Sequence, residues 1–130
     1  MSDCEGACRR WCAECLRVTA LGNGAAPWYA SALDASYVAA TAARVLARRD
    51  DHDWGSVMML VSACQQIATG SAARWRRIDA PRLGDCAASA EACAAACAAL
   101  LRALMPASRR TEEHPIVDVE RACTSAGAAA

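Results

Sequence analysis

DCEGACRRWCAEC, residues 3–15, carries cysteines at positions 4, 8, 12 and 15. At about 100° per residue, an α-helix brings Cys4, Cys8, Cys12 and Cys15 within an arc of roughly 80°. A second stretch, DCAASAEACAAAC at residues 85–97, repeats the pattern with Cys86, Cys93 and Cys97. On its own helix this set spans roughly 40°. Two thiol stripes on helices that face each other across a bundle make a tube of soft ligands. That reading decides the fold.

Working outward, the pattern predicts four helices. The first runs from about Asp3 to Ala20, capped by Ser2 or Asp3, and LGNGAAP ends it. The second runs from Trp28 to about Arg49, with Ser31, Ala35, Val38, Ala42 and Val45 facing inward. Asp53 caps a third helix, Trp54 to about Arg77, whose inner face holds Val57, Leu60, Val61, Cys64, Ile67, Ser71, Trp75 and Ile78. After the corner at Asp79-Ala80-Pro81 the fourth helix continues to about Met105, where Pro106 stops it. Short turns between amphipathic helices predict an all-α fold, an up-down-up-down antiparallel four-helix bundle over residues 1–106. Residues 107–130 read as a C-terminal tail, either a short helix or disordered, with Cys123 outside any core.

Composition narrows the function. The 130 residues carry no net charge, so no global field favours nucleic acid or an anionic membrane. Each apolar run is interrupted by Arg, Asp, Glu or Gln, which argues against a membrane span. The first residues are charged and lack a secretory core, so the nine cysteines read as reduced thiols in the cytosol rather than as a disulfide scaffold. Cysteines four apart on one helix also make a poor disulfide. No paired carboxylates share a predicted inner face with a histidine. The expectation is therefore no enzyme, with Asp34 at a helix edge.

Heights along the bundle gather the sulfurs. At ~1.5 Å per residue, Cys8, Cys12 and Cys15 lie about 8, 14 and 18 Å in from one end, and Cys64 about 16 Å. Counted back from Met105, Cys97 lies near 12 Å, Cys93 near 18 Å and Cys86 near 28 Å. Cys4, Met105, Met58, Met59 and His52 mark the near end. Cu(I) is d¹⁰ and satisfied by two or three sulfurs, so thiolate pairs at helical spacing suit it, and thioether or imidazole donors suit its passage inward. The predicted metal ligands are Cys4, Cys8, Cys12, Cys15, Cys64, Cys86, Cys93 and Cys97, with Met58 and His52 at the mouth. Two other readings remain open: a zinc or iron–sulfur thiol module using Cys12, Cys15, Cys93 and Cys97, and a metal-free helical interaction module whose cysteines only pack.

The CxxxC pairs and the Met/His-bearing open end resemble the bacterial copper storage proteins, cysteine-rich four-helix bundles, over roughly residues 3–105. The resemblance implies Cu(I) held by core thiolates, copper storage in the cytoplasm, a homo-oligomer, and a copper chaperone or efflux partner. Helix two has no cysteine and helix three has one, so the chain looks like an atypical, cysteine-depleted member. Its thiols suit about three to five Cu(I) at roughly two thiolates per ion, a count that fits a buffer or handover protein.

Overall fold

In the computed structural model, the described residues are 1–22, 24–48, 52–78 and 81–111, with side chains described through Met105. They form four helices: α1 (Ser2–Leu21), α2 (Tyr29–Ala47), α3 (Trp54–Arg77) and α4 (Leu83–Thr111). Each packs against its chain neighbour, and α1 closes the ring against α4. This is the expected antiparallel bundle. The α1–α2 and α3–α4 hairpins are tightly joined, whereas α2 and α3 meet over a thinner seam. No strand occurs among the described residues.

Helix ends follow local chemistry. The α1 cap is Met1 rather than Ser2 or Asp3, because the Glu5 N–H already reaches the Met1 carbonyl at 3.0 Å. Asp53 takes the N-cap position of α3, and its Oδ2 accepts the Ser56 hydroxyl at 2.7 Å. Gly22 closes α1 where a Cβ would collide with the Trp28 indole; only a glycine lets that ring fold over the helix end. Pro106 does not stop α4, which continues to Thr111. A proline inside a helix removes one backbone donor and costs about 3 kcal/mol or more, and α4 runs on through it. Residues 112–130, including Cys123 and most of the expected tail, lie outside the described residues.

The inner faces are set by alanine more than by bulk. On α2 the buried residues are Ala32, Ala35, Ser36, Ala39, Ala42, Ala43 and Leu46. Of the expected face, Ala35 and Ala42 are buried, while Ser31, Val38 and Val45 are half-buried, because the alanine stripe lets the backbones approach most closely. The same correction applies to α3. There Val57, Val61, Cys64, Ala68, Ser71 and Trp75 are buried, while Ile67 and Ile78 are each 37% exposed. Alanine also explains a second difference from expectation. Leu83–Met105 is long and apolar enough to cross a membrane by length and composition, with a mean hydropathy of 1.4. Its alanines and cysteines outweigh its charges, yet in the bundle it turns Cys86, Ala90, Cys93 and Cys97 into the core against α1 and α3.

Candidate metal centre

Among the described residues, seven thiols line the core: Cys4, Cys8, Cys15, Cys64, Cys86, Cys93 and Cys97, none more than 2% exposed. Their sulfurs meet in pairs from α1 and α4. Cys4 lies 3.6 Å from Cys97, Cys8 3.5 Å from Cys93, and Cys15 3.5 Å from Cys86. All three pairs share one index sum, 101, the mark of a single unbroken antiparallel register. The α3 helix adds Cys64, at 4.0 Å from Cys8 and 3.9 Å from Cys93. Since α1 and α3 are diagonal partners in the ring, that contact places the cluster on the bundle axis. Cys8, Cys64, Cys93 and Cys97 form a buried group whose sulfurs all lie within 4.8 Å of one another.

The register corrects the expected heights. Counting from Met105 put Cys97 near Cys12, and Cys93 near Cys15. The contacts instead match Cys97 to Cys4, and Cys86 to Cys15. The reason is an overhang. With an index sum of 101 the partner of Met1 is Leu100, so the last part of α4, ending at Thr111, projects beyond the start of α1. A helix end is a poor ruler when its neighbour is shorter.

Cys12 does not join the column. It is half-buried and lines an open groove with Arg9, Ala13, Leu16, Ala40, Ala43, Arg44 and Ala47, between α1 and α2. Helical angles explain the split: Cys4, Cys8 and Cys15 span roughly 40°, and Cys12 stands about 40° further round. Met58 is half-buried and Met59 is 70% exposed. The α3 position that shares the Cys64 face at that end is Val57, 2% exposed. His52 is half-buried against the Trp54 ring at 5.0 Å, and its Nε2 is buried without a hydrogen-bond partner. Met105 is 43% exposed on the overhang. These donors therefore stand around the α1 N-terminal end of the bundle rather than in the sulfur column.

Trp11 was not singled out as a site residue from the sequence, although its angle lies beside the thiol stripe. It is fully buried, and its Nε1–H has no hydrogen-bond partner. Leaving such a group unpaired costs about 1–3 kcal/mol. An aliphatic side chain would avoid that penalty.

The thiols shape each other's acidity. Contacts from Cys4, then Cys64, Cys8 and Cys93, stabilise the Cys97 thiolate and push its pKa down. Contacts with Cys4, Cys64, Cys93 and Cys97, with burial added, push Cys8 up. Cys86 and burial push Cys15 up. Cys64 pushes Cys93 up against an opposing pull from Cys8, with burial adding to the rise. For Cys4, the contact with Cys8 lowers the pKa, but Cys97 and burial outweigh it and the thiol reaches about 12. Burial alone raises Cys12. The surroundings thus favour the thiolate at Cys97 and the thiol at Cys4, Cys8, Cys15 and Cys93, and an incoming cation must displace the protons that remain.

Four converging sulfurs, with Cys4 beside Cys97 and a separate Cys15–Cys86 pair, can bind a soft metal. Neither curated proteins nor solved structures gave a match to this chain. The sequence model of the copper storage protein family, Csp, matches residues 1–102. With that match running over most of its length and a buried thiol cluster at its centre, the chain belongs to the copper storage protein family.

Proposed function

We propose that the bundle takes up Cu(I) as thiolate complexes along its axis and serves as a cytosolic copper store, buffer or handover protein. The observation that carries this reading is the convergence of the Cys8, Cys64, Cys93 and Cys97 sulfurs within 4.8 Å in a buried core. Family membership supplies copper storage, which is not an enzymatic role. The chemistry supplies the oxidation state, since thiolates select Cu(I) and two or three of them satisfy it. Seven core thiols suit about three to four ions at roughly two sulfurs each. His52 and Met58, at the open end, serve as weak donors on the way in. A copper chaperone or efflux protein is the natural donor or recipient, and a homo-oligomer is the expected assembly.

Zinc is the second reading, because the same four sulfurs also suit a tetrahedral site. A zinc tetrathiolate with ~2.3 Å bonds has sulfurs about 3.8 Å apart, close to the observed 3.5 to 4.0 Å among Cys8, Cys64 and Cys93. Copper is favoured by the rest of the column. Cys15 and Cys86 meet with no third sulfur in contact among the described residues; two sulfurs satisfy Cu(I) and leave zinc short of its four ligands.

Anaerobic titration with Cu(I) against a tight chelator tests the proposal. Binding of about three equivalents, with Zn(II) displaced, supports it. Fewer than about two equivalents, or zinc retained against Cu(I), overturns it. Fractionation of copper-fed cells tests the compartment, with copper and protein expected together in the cytosol.

A further inference from the structure

The sulfur column is interrupted. The Cys8–Cys93 and Cys15–Cys86 layers stand seven residues apart along α1, about 10 Å of helix. Trp11, fully buried, falls within that interval. The register that matches Cys8 with Cys93 sets Ala90 opposite Trp11, and the offset of 56 between Cys8 and Cys64 sets Ala68 one residue from its level on α3. Ala68 and Ala90 are both fully buried. Small residues on the facing helices leave room for one indole to cross the bundle's interior.

The two sides of this indole differ in chemistry. On the open-end side stand Cys4, Cys8, Cys64, Cys93 and Cys97, enough sulfur for bridged ions. On the far side Cys15 and Cys86 meet with no third sulfur in contact among the described residues. The α3 position level with them by the same offset is Ser71, a buried hydroxyl that accepts from the Arg74 guanidinium at 3.5 Å. A hydroxyl is a hard donor and does not complete a Cu(I) site.

We propose that Trp11 acts as a bulkhead, dividing the column into two sites that fill independently: a five-thiol site for a bridged Cu(I)–thiolate cluster, and a closed Cys15/Cys86 site for one two-coordinate ion. The proposal rests on the copper reading and adds the partition. Loading the far site releases the two thiol protons and forms two Cu–S bonds. Taking the ~2.3 Å zinc–sulfur bond as a guide, an in-line ion needs the sulfurs about 4.6 Å apart. The pair, now at 3.5 Å, must open by roughly 1 Å, within reach of side-chain rotation.

The test is anaerobic Cu(I) titration of wild type, of Cys15→Ala with Cys86→Ala, and of Cys64→Ala, each checked for helicity by circular dichroism. Bound copper is counted, and the luminescence of bridged copper–thiolate clusters is followed. The expected result is that the Cys15/Cys86 variant loses about one equivalent with its luminescence spectrum and decay unchanged. In Cys64→Ala the luminescence falls while the far-site equivalent remains. Unchanged capacity in the Cys15/Cys86 variant, or an altered cluster luminescence, overturns the partition. Those outcomes differ from failure of the copper reading, in which wild type itself binds fewer than about two equivalents. Should that variant misfold, Trp11→Leu gives the second measurement. Merging of the two sites, seen as luminescence from the full complement of copper, supports the bulkhead, and unchanged luminescence rejects it.

Discussion

Helices α1 and α2 form one hairpin and are similarly close-packed, yet their inner faces differ in kind. The inner face of α1 is sulfur and indole: Cys4, Cys8, Trp11 and Cys15. That of α2 is alanine with Ser36 and Leu46, and no thiol. Both stripes bury apolar surface, so packing alone does not explain why one is sulfur. The difference lies in what each faces. The sulfurs of α1 meet those of α4 and α3, whereas the alanines of α2 bring backbones close and hold the α1 stripe in place. One helix carries the sulfurs and the other supports the geometry.

The largest expected effect breaks the sulfur side at its centre. Replacing Cys8 and Cys93 together by alanine removes two of the four converging sulfurs and should lower copper capacity from about three ions to about two, with helicity retained. A titration in which capacity hardly changes would return these residues to a packing role. Next comes the supporting side. Ala39→Leu forces a larger side chain into a fully buried position and should cost about 1–3 kcal/mol, measured by denaturant unfolding of the metal-free protein. A variant as stable as wild type would show that α2 does not hold the bundle tightly.

Acidity separates the two faces again, since only the sulfur side titrates. The Cys4 thiol is raised from 9.0 to about 12. The folded chain therefore keeps a proton that the unfolded chain releases above pH 9. The stability this provides is complete below pH 9 and is lost as pH rises toward 12. Cys97 runs the opposite way, but it is one thiol against Cys4, Cys8, Cys15 and Cys93. The melting temperature of metal-free protein should fall across that window, while copper uptake weakens as pH falls because protons compete for the sulfurs. A flat melting profile from pH 9 to 12 would contradict this account.

The smallest effect lies on the surface. The Arg76–Glu91 pair joins α3 to α4 at 2.7 Å, with both side chains about half exposed. Solvent screens such pairs, so Arg76→Ala should leave copper capacity unchanged and the melting temperature nearly so. A clear drop in either would show that the α3–α4 seam depends on charge.

The sequence by itself determined the helices, their order and the sulfur-bearing faces, because helical period alone aligns Cys4 with Cys8 and Cys15, and Cys86 with Cys93 and Cys97. It also contained the sign that Cys12 stands apart, since that residue marks the far edge of its arc. The register emerged from contacts between helices alone. The overhang of α4 slid each predicted sulfur partner, and the pairing of Cys15 with Cys86 appeared once real contacts fixed the offset. They also decided which face of α2 turns inward, since close approach favours the smallest side chains over the most hydrophobic ones. The physical reason is the same in both cases: periodicity fixes rotation about a helix axis within one chain segment, while the height of one helix against another is set by interlocking side chains from both.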